Sequence, residues 1–121
     1  PLRRQETNII NTAREGLALV RAAGRPEIKL LVDYYHLTAE GESPDVIADA
    51  GPLLAHTHIA NPKGRVFPLD ADESPYAGFF SSLCKIGYAG RMSIEASTND
   101  FQSQAPRSLA MLKNAVACGA R

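Results

Sequence analysis

The chain has 121 residues, 45% hydrophobic and 21% charged, which fits one globular domain and not a disordered segment. Thirteen basic and thirteen acidic side chains cancel. That excludes the electrostatic footprint of a nucleic-acid or acidic-membrane binder and leaves small polar molecules as partners. No run approaches the ~20 apolar residues of a membrane span, and no signal-peptide pattern opens the chain.

In chain order, residues 7–23 read as an amphipathic helix, with Ile9, Ile10, Ala13, Leu17 and Val20 at near-helical spacing and Gly24 as its stop. Residues 28–33 are nearly continuous in apolar character, as expected of a strand buried on both faces. Ser43 then caps a second helix, Pro44 fits its first turn, and Gly51 ends it. A second buried strand covers residues 53–59, and a polar loop covers 60–74. A third helix begins at Tyr76 and stops at Gly87, a third strand runs from Gly90 to Ala96, and a last helix spans 104–118. Cys84 and Cys118 match no zinc spacing and read as reduced, packed thiols of a cytoplasmic protein.

The order α-β-α-β-α-β-α indicates a parallel sheet covered by helices. No GxGxxG follows any strand, so the nucleotide-binding version of that architecture lacks its usual support. Polar residues end all three apolar runs, and that favours the (β/α)8 barrel, whose active sites gather at the C-terminal strand ends. A full barrel needs ~250 residues, so the expectation is about half of one. The chain opens at Pro1 and not Met, which reads as a fragment or a processed form.

Asp33, His58 and Glu95 close the three runs. Polar groups at successive strand ends are costly without partners, and two carboxylates with an imidazole form the mixed O/N shell that Mn²⁺, Mg²⁺ or Co²⁺ accept. Singly, each carboxylate could instead cap a helix or pair with an arginine. His56 shares a face with His58 but lies deeper. His36 follows Asp33 just past the strand, over the same mouth or facing water. Lys63 and Arg65, after His58, could hold a substrate oxyanion or remain solvated. Asp70, Asp72 and Glu73 read as a solvated acidic run.

At these residues the chain resembles the C-terminal half of the xylose-isomerase-like TIM barrels, in the sugar isomerase/epimerase group of D-tagatose 3-epimerase and hydroxypyruvate isomerase. The segments are Pro1-Leu2-Arg3-Arg4-Gln5-Glu6-Thr7-Asn8, Leu31-Val32-Asp33-Tyr34-Tyr35-His36, Ala55-His56-Thr57-His58-Ile59-Ala60-Asn61 and Gly87-Tyr88-Ala89-Gly90-Arg91-Met92-Ser93-Ile94-Glu95. The resemblance implies Asp33, His58 and Glu95 as ligands of a divalent metal, Mn²⁺ first, with Glu95 also catalytic as an acid/base. It implies His36 as a substrate-orienting residue and Glu6 as a nearby polar contact. The family's substrate arginine falls at Gly64 by direct counting, so Lys63 or Arg65 takes its place after a one-residue shift. The family's partner glutamate precedes the segment that begins at Pro1, and Ala96-Ser97-Thr98 replaces the Glu-Pro-Phe ending of close epimerases.

The implied activity is sugar or keto-sugar isomerisation or epimerisation through an enediolate, on a single partial barrel domain over residues 1–121, with little activity expected of the chain alone. An inosose-dehydratase-like lyase on the same scaffold is the alternative, as is a non-catalytic half-barrel that binds ligand or self-associates. An uncovered parallel edge is a template for association, so a homo-oligomer is expected.

Overall fold

A computed structural model describes residues 1–119, without the side chains of residues 118 and 119. The expectation for Cys118 therefore lies outside the described residues, whereas Cys84 is a half-buried free thiol. Among the described residues no helix is long and apolar enough to cross a membrane.

The first helix, α1 (Ala13–Ala23), begins six residues later than its apolar spacing suggests. Thr12 and Glu15 form a reciprocal capping box that fixes the start. Upstream, the Asn11 side chain donates to the carbonyls of Leu2 (3.0 Å) and Thr7 (2.8 Å), folding residues 7–11 back on themselves and leaving Ile9 76% exposed. Glu42 adds a second cap from far along the chain, its carboxylate accepting the N–H groups of Ala13 (2.7 Å) and Arg14 (2.8 Å). A carboxylate at a helix N-terminus meets free N–H groups and the positive end of the dipole. Glu42→Ala is expected to cost about 1–2 kcal/mol, read by urea denaturation. Gly24 ends α1 in the left-handed conformation (φ 59°), as expected.

The strands β1 (Leu30–Asp33), β2 (Leu54–Ile59) and β3 (Arg91–Ile94) form one parallel sheet in the order β1-β2-β3. Each is shorter than its apolar run: Ile28 is exposed and Leu53 belongs to a 3-10 turn, Gly51–Leu53. Glu95 still extends the ladder, its N–H reaching the Ile59 carbonyl at 3.1 Å.

Between β1 and β2 stand two helices, α2 (Tyr34–Ala39) and α3 (Asp45–Ala50). The first was not expected. Asp33 is its N-cap, Oδ1 accepting the N–H of Tyr35 at 2.8 Å and of His36 at 3.3 Å, so the chain turns helical directly at the strand end. α3 starts one residue after the anticipated position, with Pro44 at the cap and the Ser43 hydroxyl accepting the Asp45 N–H. The loop after β2 contains a 3-10 turn (Ala71–Glu73), and α4 (Tyr76–Lys85) follows it. The last helix, α5 (Phe101–Gly119), begins three residues early because Asp100 accepts the Ser103 N–H.

The helices cover one face of the sheet, where Leu17, Val32, Ile47, Ile59 and Phe79 are buried. Tyr34, Tyr76 and Phe79 form an aromatic cluster with ring centroids 5.1 Å apart at both Tyr34 contacts. The opposite face carries Asp33, His56, His58 and Ser93. Burial on both faces thus holds for β1 and fails for β2, where Ala55 is exposed, while Arg91 and Ser93 of β3 are exposed as well. The acidic run is exposed as expected, although Glu73 also accepts from Asn61 Nδ2 at 2.9 Å.

Candidate metal and proton-transfer site

Parallel pairing sets Asp33 beside His58 and His58 beside Ser93, which brings Glu95 one step beyond to the same rim. His58 Nδ1 lies 3.4 Å from Asp33 Oδ2 and 3.2 Å from Glu95 Oε2, and one donor atom from each of the three residues falls within 4.8 Å of the others. Asp33 divides its labour: Oδ1 caps α2 and Oδ2 faces the cluster.

The electrostatics separate the two acids. Burial pushes the Asp33 carboxyl above its ordinary range, and the facing Glu95 carboxyl raises it further, against the N–H groups of His36 and Tyr35. For Glu95 burial also acts upward, but hydrogen bonds from Asp33 and Arg65 and the charge of His58 outweigh it, holding Glu95 below its ordinary range. One acid is thus inclined to hold a proton and the other to stay ionised. A cation can take that proton's place between them. Two carboxylate oxygens and an imidazole nitrogen fit a borderline-hard divalent ion.

His36 lies just past the strand, as expected, but inside α2 and 2% exposed, so it does not face water. Its Nδ1 accepts the Arg3 N–H at 3.0 Å, and Arg65 Nη2 lies 3.5 Å from its Nε2. Burial pushes its pKa down, opposed by Asp33 and Glu6. Glu6 joins through Arg3, whose Nε donates to it at 2.7 Å, and this hydrogen bond holds the Glu6 carboxyl below its ordinary range. His56 stays deeper on the sheet, 2.9 Å from Ser93 Oγ.

Of the two cations left open by the sequence, the structure brings in Arg65. Asn61 N–H bonds the Val66 carbonyl (2.9 Å), closing a tight turn, and Ser97 N–H holds the Arg65 carbonyl (2.8 Å). Arg65 sits at φ 52°, in the left-handed region, and its guanidinium donates to Glu95 (2.8 Å) and lies 3.6 Å from Glu6. Lys63 is exposed on the same turn and outside the cluster, with its backbone N–H held by Asn61. A side chain with a Cβ is strained at that φ. Arg65→Gly is therefore expected to be more stable than Arg65→Ala by about 1 kcal/mol, read from paired urea midpoints.

Two further contributors carry no signal in the sequence. Arg3 and Tyr35 enter through packing between distant segments, which no local spacing signals.

A family profile described as xylose isomerase-like TIM barrel matches residues 1–115. A D-psicose 3-epimerase of Agrobacterium fabrum is 35% identical over 95 residues, covering 78% of this chain and 32% of that protein. An L-ribulose 3-epimerase of Methylomonas sp. is 36% identical over 101 residues, 81% of this chain and 34% of its own length. A solved L-ribulose 3-epimerase superposes with TM-score 0.82 at 22% identity, covering 93% of this chain and 44% of that one, a likeness of fold. A D-psicose 3-epimerase solved in the presence of D-fructose gives TM-score 0.74 at 26% identity over 97% of this chain and 45% of its own. The chain spans about a third of the length of the curated relatives it matches. The three parallel strands and their helices are thus part of a barrel, with the strand-end cluster at its rim. The chain belongs to the xylose isomerase-like TIM barrel family.

Proposed function

We propose that this chain is the metal-binding part of a sugar 3-epimerase acting on ketoses, in which Asp33, His58 and Glu95 hold one divalent ion, Mn²⁺ or alternatively Mg²⁺ or Co²⁺. The observation that carries this reading is the convergence of those three donors within 4.8 Å, in a chain 35% identical to a D-psicose 3-epimerase. Such an ion supplies positive charge against the negative charge that develops on the substrate's oxygens.

The chain's own groups do the rest. Glu95, held ionised beside Arg65 and Asp33, takes the proton from the carbon next to the ketose carbonyl, leaving an enediolate. His36 and Arg65, whose guanidinium lies beside the imidazole, orient substrate oxygens, with Glu6 fixing Arg65. Arg65 takes this role in preference to Lys63. A second acid/base, which returns the proton on the opposite face of the carbon, belongs to a strand outside these 121 residues.

That division predicts a half-reaction. With Mn²⁺ in D2O, the chain should exchange the C3 proton of D-psicose for deuterium without forming the C3 epimer, D-fructose. Glu95→Gln should lower the exchange by about 10²–10⁴-fold, the usual contribution of a positioned base. Proton NMR of the sugar reads both. Absence of exchange by the wild type, or exchange undiminished in Glu95→Gln, refutes the reading.

A second reading, self-association, is favoured by the exposed apolar residues Phe101, Leu109 and Val116 on α5, beside the edge strand β3. A dimer mass in size-exclusion light scattering supports it, and a monomer at all concentrations removes it. We also infer a cytoplasmic protein, supported by the free Cys84 thiol.

A further inference from the structure

The rim of the site holds two arginines that should repel each other, and one aromatic ring touches both. Arg3 Cζ stands 5.0 Å from the Tyr35 ring centroid and Arg65 Cζ 4.8 Å from it, each over the ring. The Tyr35 ring also meets His36 edge-on at 5.1 Å, and Tyr35 is 9% exposed. Glu6 completes the assembly as a shared counter-ion, 2.7 Å from Arg3 Nε and 3.6 Å from Arg65 Nη1.

We propose that Tyr35 is a positioning residue for sugar binding, its ring acting as the platform that fixes the Arg3 and Arg65 guanidiniums at the mouth. The inference rests on the sugar-binding reading of the site and deepens it.

The physical case begins with the arginine side chain. The turn pins the Arg65 backbone on both sides, through Val66 and Ser97, yet a long flexible side chain leaves its guanidinium free to roam. The ion pair with Glu95 restrains it, but Glu95 is half exposed and is itself assigned to other work. A flat guanidinium over an aromatic face gains cation–π attraction and planar contact together. The buried ring, tied to α2 through the Asp33 cap, is the rigid member of the contact. Fixing donors before the ligand arrives removes an ordering cost from binding. The hydroxyl of Tyr35 takes no part in this account, so phenylalanine should serve equally.

The test uses the full chain with Mn²⁺ and D-psicose as the probe. Tyr35→Leu should weaken D-psicose binding on the order of tenfold, the size expected for losing two partly desolvated cation–π contacts. Tyr35→Phe should retain wild-type binding, and Mn²⁺ affinity should be the same in all three proteins. Independently, the arginine Nε–Hε signals of Arg3 and Arg65 should be ring-current shifted in the wild type and in Tyr35→Phe, and lose that shift in Tyr35→Leu. Equal D-psicose binding in Tyr35→Leu and wild type overturns the proposal. So does a Tyr35→Phe loss as large as that of Tyr35→Leu, or a parallel fall in Mn²⁺ affinity, which marks a merely structural ring. If the wild type binds no D-psicose, the epimerase reading fails, and the arginine signals alone then decide the positioning: unshifted signals in the wild type overturn it.

Discussion

Asp33→Asn is expected to make the metal-free protein more resistant to urea at neutral pH and to abolish the extra stability that Mn²⁺ confers. The native protein holds the Asp33 proton more tightly than the unfolded chain does, because its folded pKa is raised by burial and by Glu95. The Asp33 contribution to wild-type stability therefore falls as pH rises above the ordinary value of 3.8 and through the raised one. Asparagine keeps an oxygen for the Tyr35 and His36 N–H groups that Asp33 caps and carries no charge to bury. The advantage of Asp33→Asn should thus shrink as pH falls toward 3.8.

With Mn²⁺ the order reverses. An ion that binds only the native state at a hundred times its Kd adds about 2.7 kcal/mol to the wild type, whereas the variant lacks one of three donors. Urea midpoints with EDTA and with Mn²⁺, at two pH values, check both parts. A metal-free Asp33→Asn protein less stable than wild type at neutral pH would mean that the carboxylate is there to stabilise the fold.

The second large effect lies under the site. Phe79 is 0% exposed and packs on Tyr34, the first residue of α2, at 5.1 Å between centroids. Phe79→Ala is expected to cost about 3–5 kcal/mol, a large part of the roughly 5–15 kcal/mol that holds a typical domain. Because α2 carries Tyr35 and His36, the same cavity loosens the rim of the site. Phe101→Ala, at a ring 62% exposed, should shift stability by only about 0.5 kcal/mol. Circular dichroism during urea unfolding distinguishes the two. Similar small losses for both would show that the aromatic cluster is not the centre of the core.

The strand-end triad was legible in the sequence because each apolar run stops on a titratable residue and parallel pairing aligns those stops. α2 was not. The sequence marks Asp33 as a ligand, and the same side chain is also a helix cap, a double use that residue identity does not disclose. The start of α1 was misplaced for a related reason. Ile9 and Ile10 continue the helical spacing, but the Thr12–Glu15 capping box ends the helix upstream, and Asn11 binds the preceding segment to Leu2 and Thr7. The choice between Lys63 and Arg65 depends on a left-handed backbone at Arg65, a turn property. Glu42, Arg3 and Tyr35 act across tertiary contacts, for which spacing along the chain carries no signal.

The central claim is that Asp33, His58 and Glu95 act as one divalent-ion site. A Mn²⁺ titration of the chain followed by electron paramagnetic resonance tests it most directly. The account predicts saturable binding of one ion per chain, weakened about a hundredfold or more in His58→Ala and in Glu95→Gln. No saturable binding, or binding that His58→Ala leaves unchanged, would contradict it.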